Sequence, residues 1–173
     1  ELLLRCRQLR NQGLDPETGL RHATLPGISA RLTELQAALG RVQLARLDES
    51  LKARAEVAAH YRAGLANLAE VELPAAASAD ERIAWFTFPI RLQAPLDRDA
   101  LRSFLKRRRI ESGIYFEPAH QLPYHDQHHC PGDLPVTEDI GSRCLALPLF
   151  PQLPVEDVDR VVAAVKEFLA SAN

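Results

Sequence analysis

Apolar positions recur at helical spacing in several separate stretches of the chain and gather into short runs in three others. Within residues 27–51, Leu35, Leu39, Val42 and Leu47 share one face, while Glu34, Arg41, Arg46 and Glu49 fall on others. Thr33 and Gln36 mark the start with the S/T-x-x-E/Q spacing, in which each side chain can take up a backbone N–H of the other residue. By pattern alone this is an amphipathic helix with its leucines on the core. A second helix, roughly 49–69, carries Leu51, Ala55, Ala58, Tyr61, Leu65 and Leu68 inward, with Asp48 as its cap. Asp97 caps a third, which places Leu101, Phe104 and Leu105 on one side and runs to about Arg109. The last helix is the clearest: Pro154 near the first turn, Glu156 and Asp157 beside the positive end of the dipole, then Val158, Val161, Val162, Val165, Phe168 and Leu169 as one stripe. Residues 1–12 read as the tail of another helix, stopped by Gly13.

Three runs predict strands. Ile83–Leu92 is aromatic and β-branched, and Pro89 within it predicts an edge strand or a bulge. Ile110–Phe116 gives a short strand and Leu145–Leu149 a buried one. Residues 13–28 and 117–135 are rich in turn formers and read as loops, and Val71–Glu81, Ala-rich and anchored by Pro74, reads as a connector. Helix, helix, strand, helix, strand, strand, helix predicts a small α/β layer domain.

Composition narrows the class. At 173 residues, 46% hydrophobic and 25% charged, the chain is globular: one domain, or a domain and a fragment of its neighbour. A formal charge of −2 argues against a nucleic-acid partner, and the one basic run, Lys106 to Arg109, sits where a helix end favours cations. Three cysteines at irregular spacing (Cys6, Cys130, Cys144) fit a reducing cytoplasm better than a disulfide framework. No run approaches the ~20 apolar residues of a membrane span, and no secretory signal opens the chain, so a soluble cytoplasmic protein is expected. The chain lacks Met and opens on what reads as mid-helix sequence, which predicts a piece of a longer polypeptide.

A family pattern overlies these elements. Gly27, Arg31, Glu34-Leu35-Gln36-Ala37-Ala38, Gly40, Gln43-Leu44 and Leu47-Asp48, in that order, resemble the DegT/DnrJ/StrS-type sugar aminotransferases. So do Arg10-Asn11-x-Gly13 and the segments 111–126, 133–139 and 145–162, and the resemblance therefore runs from the first helix to the last. It implies the carboxy-terminal small domain of a fold-type-I transferase dependent on pyridoxal phosphate, a small sheet packed with helices. Residues 1–26 would be a remnant of the large domain and 27–173 the carboxy-terminal domain. It further implies a homodimer, contacted through the 27–51 helix, that moves an amino group from a donor, usually glutamate, to a nucleotide-linked keto-sugar.

Such chemistry needs a lysine for the Schiff base, a carboxylate to protonate the pyridine nitrogen, and donors for the phosphate. Only Lys52, Lys106 and Lys166 are present, each on the polar side of a predicted helix and none in a context like that of the family's lysine. That lysine and the carboxylate are expected in sequence preceding Glu1, and the chain alone is not expected to catalyse. The family's Gly-x-Asn-x-Arg motif reaches the cofactor phosphate of the other subunit. Here it is Gly27-Ile28-Ser29-Ala30-Arg31, so Ser29 offers one shorter donor where Asn offers two. The resemblance makes Ser29 a phosphate contact; the plainer alternative is a cap at the helix entry. Arg31 keeps its family position with a fork of donors suited to a carboxylate or phosphate, or to an ordinary ion pair.

Tyr115 to His120, YFEPAH, resembles the Tyr-x-Pro-x-His loop that lines the family's sugar pocket. His120 would donate to sugar hydroxyls and Tyr115 would share that wall, the alternative being a plain surface histidine. His125, His128, His129 and Cys130 include zinc-ligand types, but no second spaced pair completes a tetrahedral set, and no metal is expected. Phosphate-loop, Ser/His/Asp and paired-carboxylate signatures are absent from the sequence. Two non-catalytic alternatives stand beside the transferase: a truncated paralogue that self-associates without pyridoxal phosphate, and a metal-binding regulatory domain built on residues 125–130.

Overall fold

The computed structural model describes residues 1–15, 23–78, 80–124 and 132–172. They form two compact units, Glu1–Leu47 and Asp48–Asn173.

In the first unit, α1 (Leu2–Arg10) ends in a turn at Gly13, and α2 (Glu34–Ala45) begins at the predicted cap. Thr33 Oγ1 accepts from Gln36 N while the Gln36 side chain accepts from Thr33 N at 2.9 Å, a complete capping box. The stripe on α2 departs from its predicted core role: no residue of α2 is buried, and Leu35 is 84% and Leu39 63% exposed. A helical period reports that one face is apolar, not what covers it.

The second unit is a three-stranded antiparallel sheet, ordered β1 (Val71–Glu72), β2 (Phe88–Leu92), β3 (Cys144–Leu147), with helices α3 (Leu47–Leu65), α4 (Arg98–Arg107), α5 (Pro135–Arg143) and α6 (Val155–Ala172). Leu47, the first residue of α3, is the last of the preceding unit. Tyr61 and Leu65 of α3, Phe88, Ile90 and Leu92 of β2, Leu101 and Leu105 of α4, Leu145 of β3, and Val158 and Val165 of α6 are fully buried. Each large apolar side chain so buried is worth about 1.5–3 kcal/mol. The cap at Asp97 is present, accepting from Asp99 N at 2.7 Å and Ala100 N at 3.2 Å. The predicted stripe on α6 is buried throughout.

Several predicted bounds shift. α3 starts one residue before Asp48, so Asp48 lies in its first turn instead of capping it and accepts from Arg82 Nη1 at 2.9 Å. The strand predicted over 83–92 is regular only from Phe88. The aromatic run ahead of it serves as packing: Trp85 lies against Phe88, and Phe86 meets Tyr115. Cys144–Leu147 stops before Pro148. Ile110–Phe116 contributes one bridge, Gly113 to Ala146, and no strand. β1 lies in the stretch predicted to be a connector, and α5 starts at the last residue of the predicted 117–135 loop and runs through residues given no predicted element.

Pro89 sits in the central strand, and the register explains how. Ala146 exchanges both backbone hydrogen bonds with Gly113, at 2.8 and 3.0 Å, so its polar groups point away from β2. Pro89, opposite Ala146, therefore occupies a non-hydrogen-bonded pair and needs no N–H toward β3. Its other side faces β1, which pairs only with Arg91 and Leu92.

Candidate functional site

In the first unit, residues 27–31 are positioned by backbone. Gln12 N donates to Ile28 O at 3.0 Å, Ile28 N to Leu9 O at 2.8 Å and Ala30 N to Arg10 O at 2.9 Å. This apposition needs two glycines. Gly13 has φ +76° and lies so close to Leu25 that a Cβ would fall 1.7 Å from its carbonyl oxygen; a Cβ on Gly27 would fall 2.0 Å from Gly13 N. The first glycine of the motif is thus the contact that seats Ser29 and Arg31 on the end of α1.

Ser29 and Arg31 then line one open depression of about 820 Å³ with Arg10, Ala30, Leu32, Thr33 and Gln36. Its lining holds two guanidinium groups, the hydroxyls of Ser29 and Thr33 and the Gln36 amide, and no carboxylate; Thr33 and Gln36 are engaged in the cap of α2. Among the described residues the side chains of Ser29 and Arg31 make no hydrogen bond or ion pair, and the cap of α2 is Thr33, not Ser29. The donor set suits a phosphate. Arg10 is the member that sequence reasoning missed; it is brought here only by the Gly13–Gly27 apposition.

In the second unit, Tyr115 borders a cavity of about 290 Å³ with Phe86, Gly113, Leu147 and Phe150 among its other walls. The Tyr115 ring covers Gly113 so closely that a Cβ there would lie 2.4 Å from Cε2. It meets Phe86 edge-on at 6.2 Å and Phe116 at 5.7 Å. A slot walled by ring faces, with the Tyr115 phenol, the Thr87 and Ser112 hydroxyls and the Glu111 carboxylate among its polar groups, suits the C–H face and hydroxyls of a sugar.

His120 does not border this cavity. It lies in the 3₁₀ turn Ala119–Gln121, its side chain 6% exposed, with Nε2 3.1 Å from Glu138 Oε1. An ionised carboxylate only accepts, so Nε2–H donates. The same carboxylate accepts from Gly132 N at 2.9 Å and Leu134 N at 3.3 Å. One turn along α5, the lack of a side chain at Gly141 leaves room for Pro118, whose Cγ would be 2.7 Å from a Cβ there. Residues 118–120 are therefore docked on α5. Pro135 at its first turn, followed by Glu138, is the sequence signal that could have found this helix.

The hydrogen bond from His120, then that from Gly132 N, holds the Glu138 carboxyl below the usual carboxylate range. A lowered folded value means that the stabilisation is complete above the unfolded value of about 4.3 and fades as pH falls through the lower folded one. Amide exchange at Gly132 and Leu134, taken relative to the intrinsic rate at each pH, is accordingly expected to rise on acidification below the usual carboxylate range. In Glu138→Gln it should be fast at neutral pH already; protection equal to wild type in that variant would dismiss the carboxylate as the anchor.

The zinc-type cluster His125, His128, His129 and Cys130 lies outside the described residues. Among the described residues no group of three His, Cys, Asp or Glu is placed to hold a metal, and no helix is long and apolar enough to cross a membrane.

The model of the DegT/DnrJ/EryC1/StrS aminotransferase family matches residues 1–166. Among similar solved structures is DesV of S. venezuelae in complex with a ketimine intermediate, at 35% identity and TM-score 0.83 over 96% of this chain and 44% of that one. The aminotransferase TlmJ of Streptoalloteichus hindustanus is 27% identical with TM-score 0.86, over 98% and 45%. DesI, solved in the presence of its TDP-sugar product, is 29% identical with TM-score 0.78, over 93% and 41%. The chain spans less than half the length of each.

Proposed function

The chain belongs to the DegT/DnrJ/EryC1/StrS aminotransferase family, and on that premise we propose that it is the carboxy-terminal part of a pyridoxal-phosphate enzyme that moves an amino group from glutamate to a nucleotide-linked keto-sugar. The observation that carries this is the Ser29–Arg31 depression, where two arginines and the Ser29 hydroxyl stand with no carboxylate, on a chain similar to an enzyme solved with a TDP-sugar. When bound, pyridoxal phosphate supplies the electron sink for amino transfer. Ser29 Oγ donates to a phosphate oxygen, and Arg10 and Arg31 balance the charge. Tyr115 and Phe86 pack against the sugar and limit its access to water. His120, held by Glu138, keeps the 115–124 loop in the shape that presents Tyr115, a role through position more than direct contact.

Lys52, Lys106 and Lys166 are exposed on α3, α4 and α6, and none belongs to either lining. In this proposal the Schiff-base lysine and the pyridine's carboxylate belong to sequence outside residues 1–173. The apolar face of α2 is the contact with a second subunit, since a stripe this exposed is otherwise an aggregation hazard. The same stripe would serve a truncated, cofactor-free paralogue that only self-associates.

The complete polypeptide distinguishes the two. It is expected to purify with the visible absorbance of bound pyridoxal phosphate and to convert a TDP-keto-sugar in the presence of glutamate; a polypeptide that takes up no cofactor sinks the enzyme and leaves the self-associating module. Ser29→Asn adds a second donor at the phosphate and should tighten cofactor retention by about 1 kcal/mol, roughly fivefold in Kd. Unchanged or looser retention on equilibrium dialysis would take Ser29 away from the phosphate.

A further inference from the structure

We propose that the depression at the end of α4, lined by Arg102, Lys106, Arg109 and Ser112, binds the phosphate or diphosphate group of a small phosphorylated ligand. Its volume of about 390 Å³ falls within the ~300–1,000 Å³ range of small-molecule sites. Three cations converge on it. Arg102 and Lys106, one turn apart on α4, repel each other across one face of the helix. Arg109 joins them because the chain turns back beyond the helix through a φ of +58°.

These three cations share one depression without an ion-pair partner among the described residues. Elsewhere in the second unit Arg82, Arg91, Arg98, Arg108, Arg143 and Arg160 each pair with a carboxylate. Arg108, adjacent to Arg109, pairs with Glu167 and stacks over Phe104 at 3.6 Å. Arg102, Lys106 and Arg109 make no side-chain hydrogen bond or ion pair among the described residues, and Glu111 is the one acid in the lining. A bound anion would relieve that repulsion.

Two further features fit an anion. The carbonyls of Leu105 and Lys106, which would otherwise repel it, already accept from Arg108, Arg109 and Ile110 N–H. Ser112 Oγ is buried without a hydrogen-bond partner, so a turn about χ1 toward a ligand oxygen breaks no bond within the chain. Glu111 and Ser112 also border the Tyr115 cavity, so the two sites share a wall. The ligand phosphate is therefore either a free anion or the diphosphate of the nucleotide sugar.

The test is calorimetric titration of inorganic pyrophosphate into the complete, cofactor-loaded protein at low ionic strength. Binding should be lost by at least tenfold in Arg102→Gln/Lys106→Gln, weaken with added salt, and stay at wild-type strength in Arg41→Gln, an exposed arginine on α2. If saturating TDP abolishes the variant-sensitive binding, the site serves the substrate's diphosphate; if that binding persists, it takes a free anion. Equal binding by wild type and the double variant overturns the proposal. No turnover is measured, so failure here leaves the transferase reading intact.

Discussion

Gly27→Ala is expected to pull residues 27–31 away from α1 and to cost the first unit roughly 2–4 kcal/mol, in the range of substitutions that force a strained or clashing backbone. The added Cβ would lie 2.0 Å from Gly13 N, 2.6 Å from Gln12 C and 2.8 Å from Gly13 Cα. All three are backbone atoms, so no rotamer change can make room. The partner glycine cannot yield either, with its own approach to Leu25 O and a positive φ. Amide exchange reads the loss directly: Gln12, Ile28 and Ala30, whose N–H groups tie the segment to α1, should all accelerate together. Gly40→Ala is the control. It adds a Cβ with nothing within 4 Å, inside α2, and should stabilise that helix by about 1 kcal/mol. Wild-type protection in Gly27→Ala would remove the apposition, and with it the account of how Ser29 and Arg31 come to share one lining.

Tyr61→Ala should be the most damaging single change in the second unit, at about 3–5 kcal/mol, whereas Tyr61→Phe should be neutral or stabilising by up to ~1 kcal/mol. The ring is fully buried and stacked on Phe88 with centroids 5.1 Å apart, so truncation removes transfer energy and leaves a cavity between α3 and the sheet. The hydroxyl contributes none of this, being buried without a partner among the described residues. Burial first, and the Asp157 charge second, push its ionisation far above the ordinary tyrosine range. A raised folded value gives stabilisation that is complete below the unfolded value of about 10 and is lost as pH climbs above it. Wild type should therefore weaken in strong alkali where Tyr61→Phe does not. Denaturant midpoints at neutral and alkaline pH decide both points; a Phe variant as unstable as the Ala variant would mean that the hydroxyl has a partner after all.

What could be seen from the sequence was whatever a few neighbouring residues determine. The Thr33–Gln36 box, the Asp97 cap and the α6 stripe are local arrangements, and each formed as predicted. The harder features depend on residues far apart in the chain. A two-residue strand such as β1 has no periodicity to detect, and its existence rests on Arg91 and Leu92 across the sheet. The run at 83–87 has strand composition, but its rings are used as walls. His120 was visible as a residue of interest, yet the partner that fixes it lies 18 residues on, in a short helix for which no element was predicted. For the first site, family resemblance supplied Ser29 and Arg31, while the reason for Gly27 and the presence of Arg10 required the fold.

Pro89 has a bearing on how the chain behaves in a crowded solution. Past the short reach of β1, no strand among the described residues pairs with the outer margin of β2, and an unpaired margin invites another polypeptide to anneal along it. A newcomer would look for an amide hydrogen at residue 89 and find a pyrrolidine ring. The imino acid that seemed to disqualify this segment from the middle of a sheet therefore acts as a guard against fibril-like stacking.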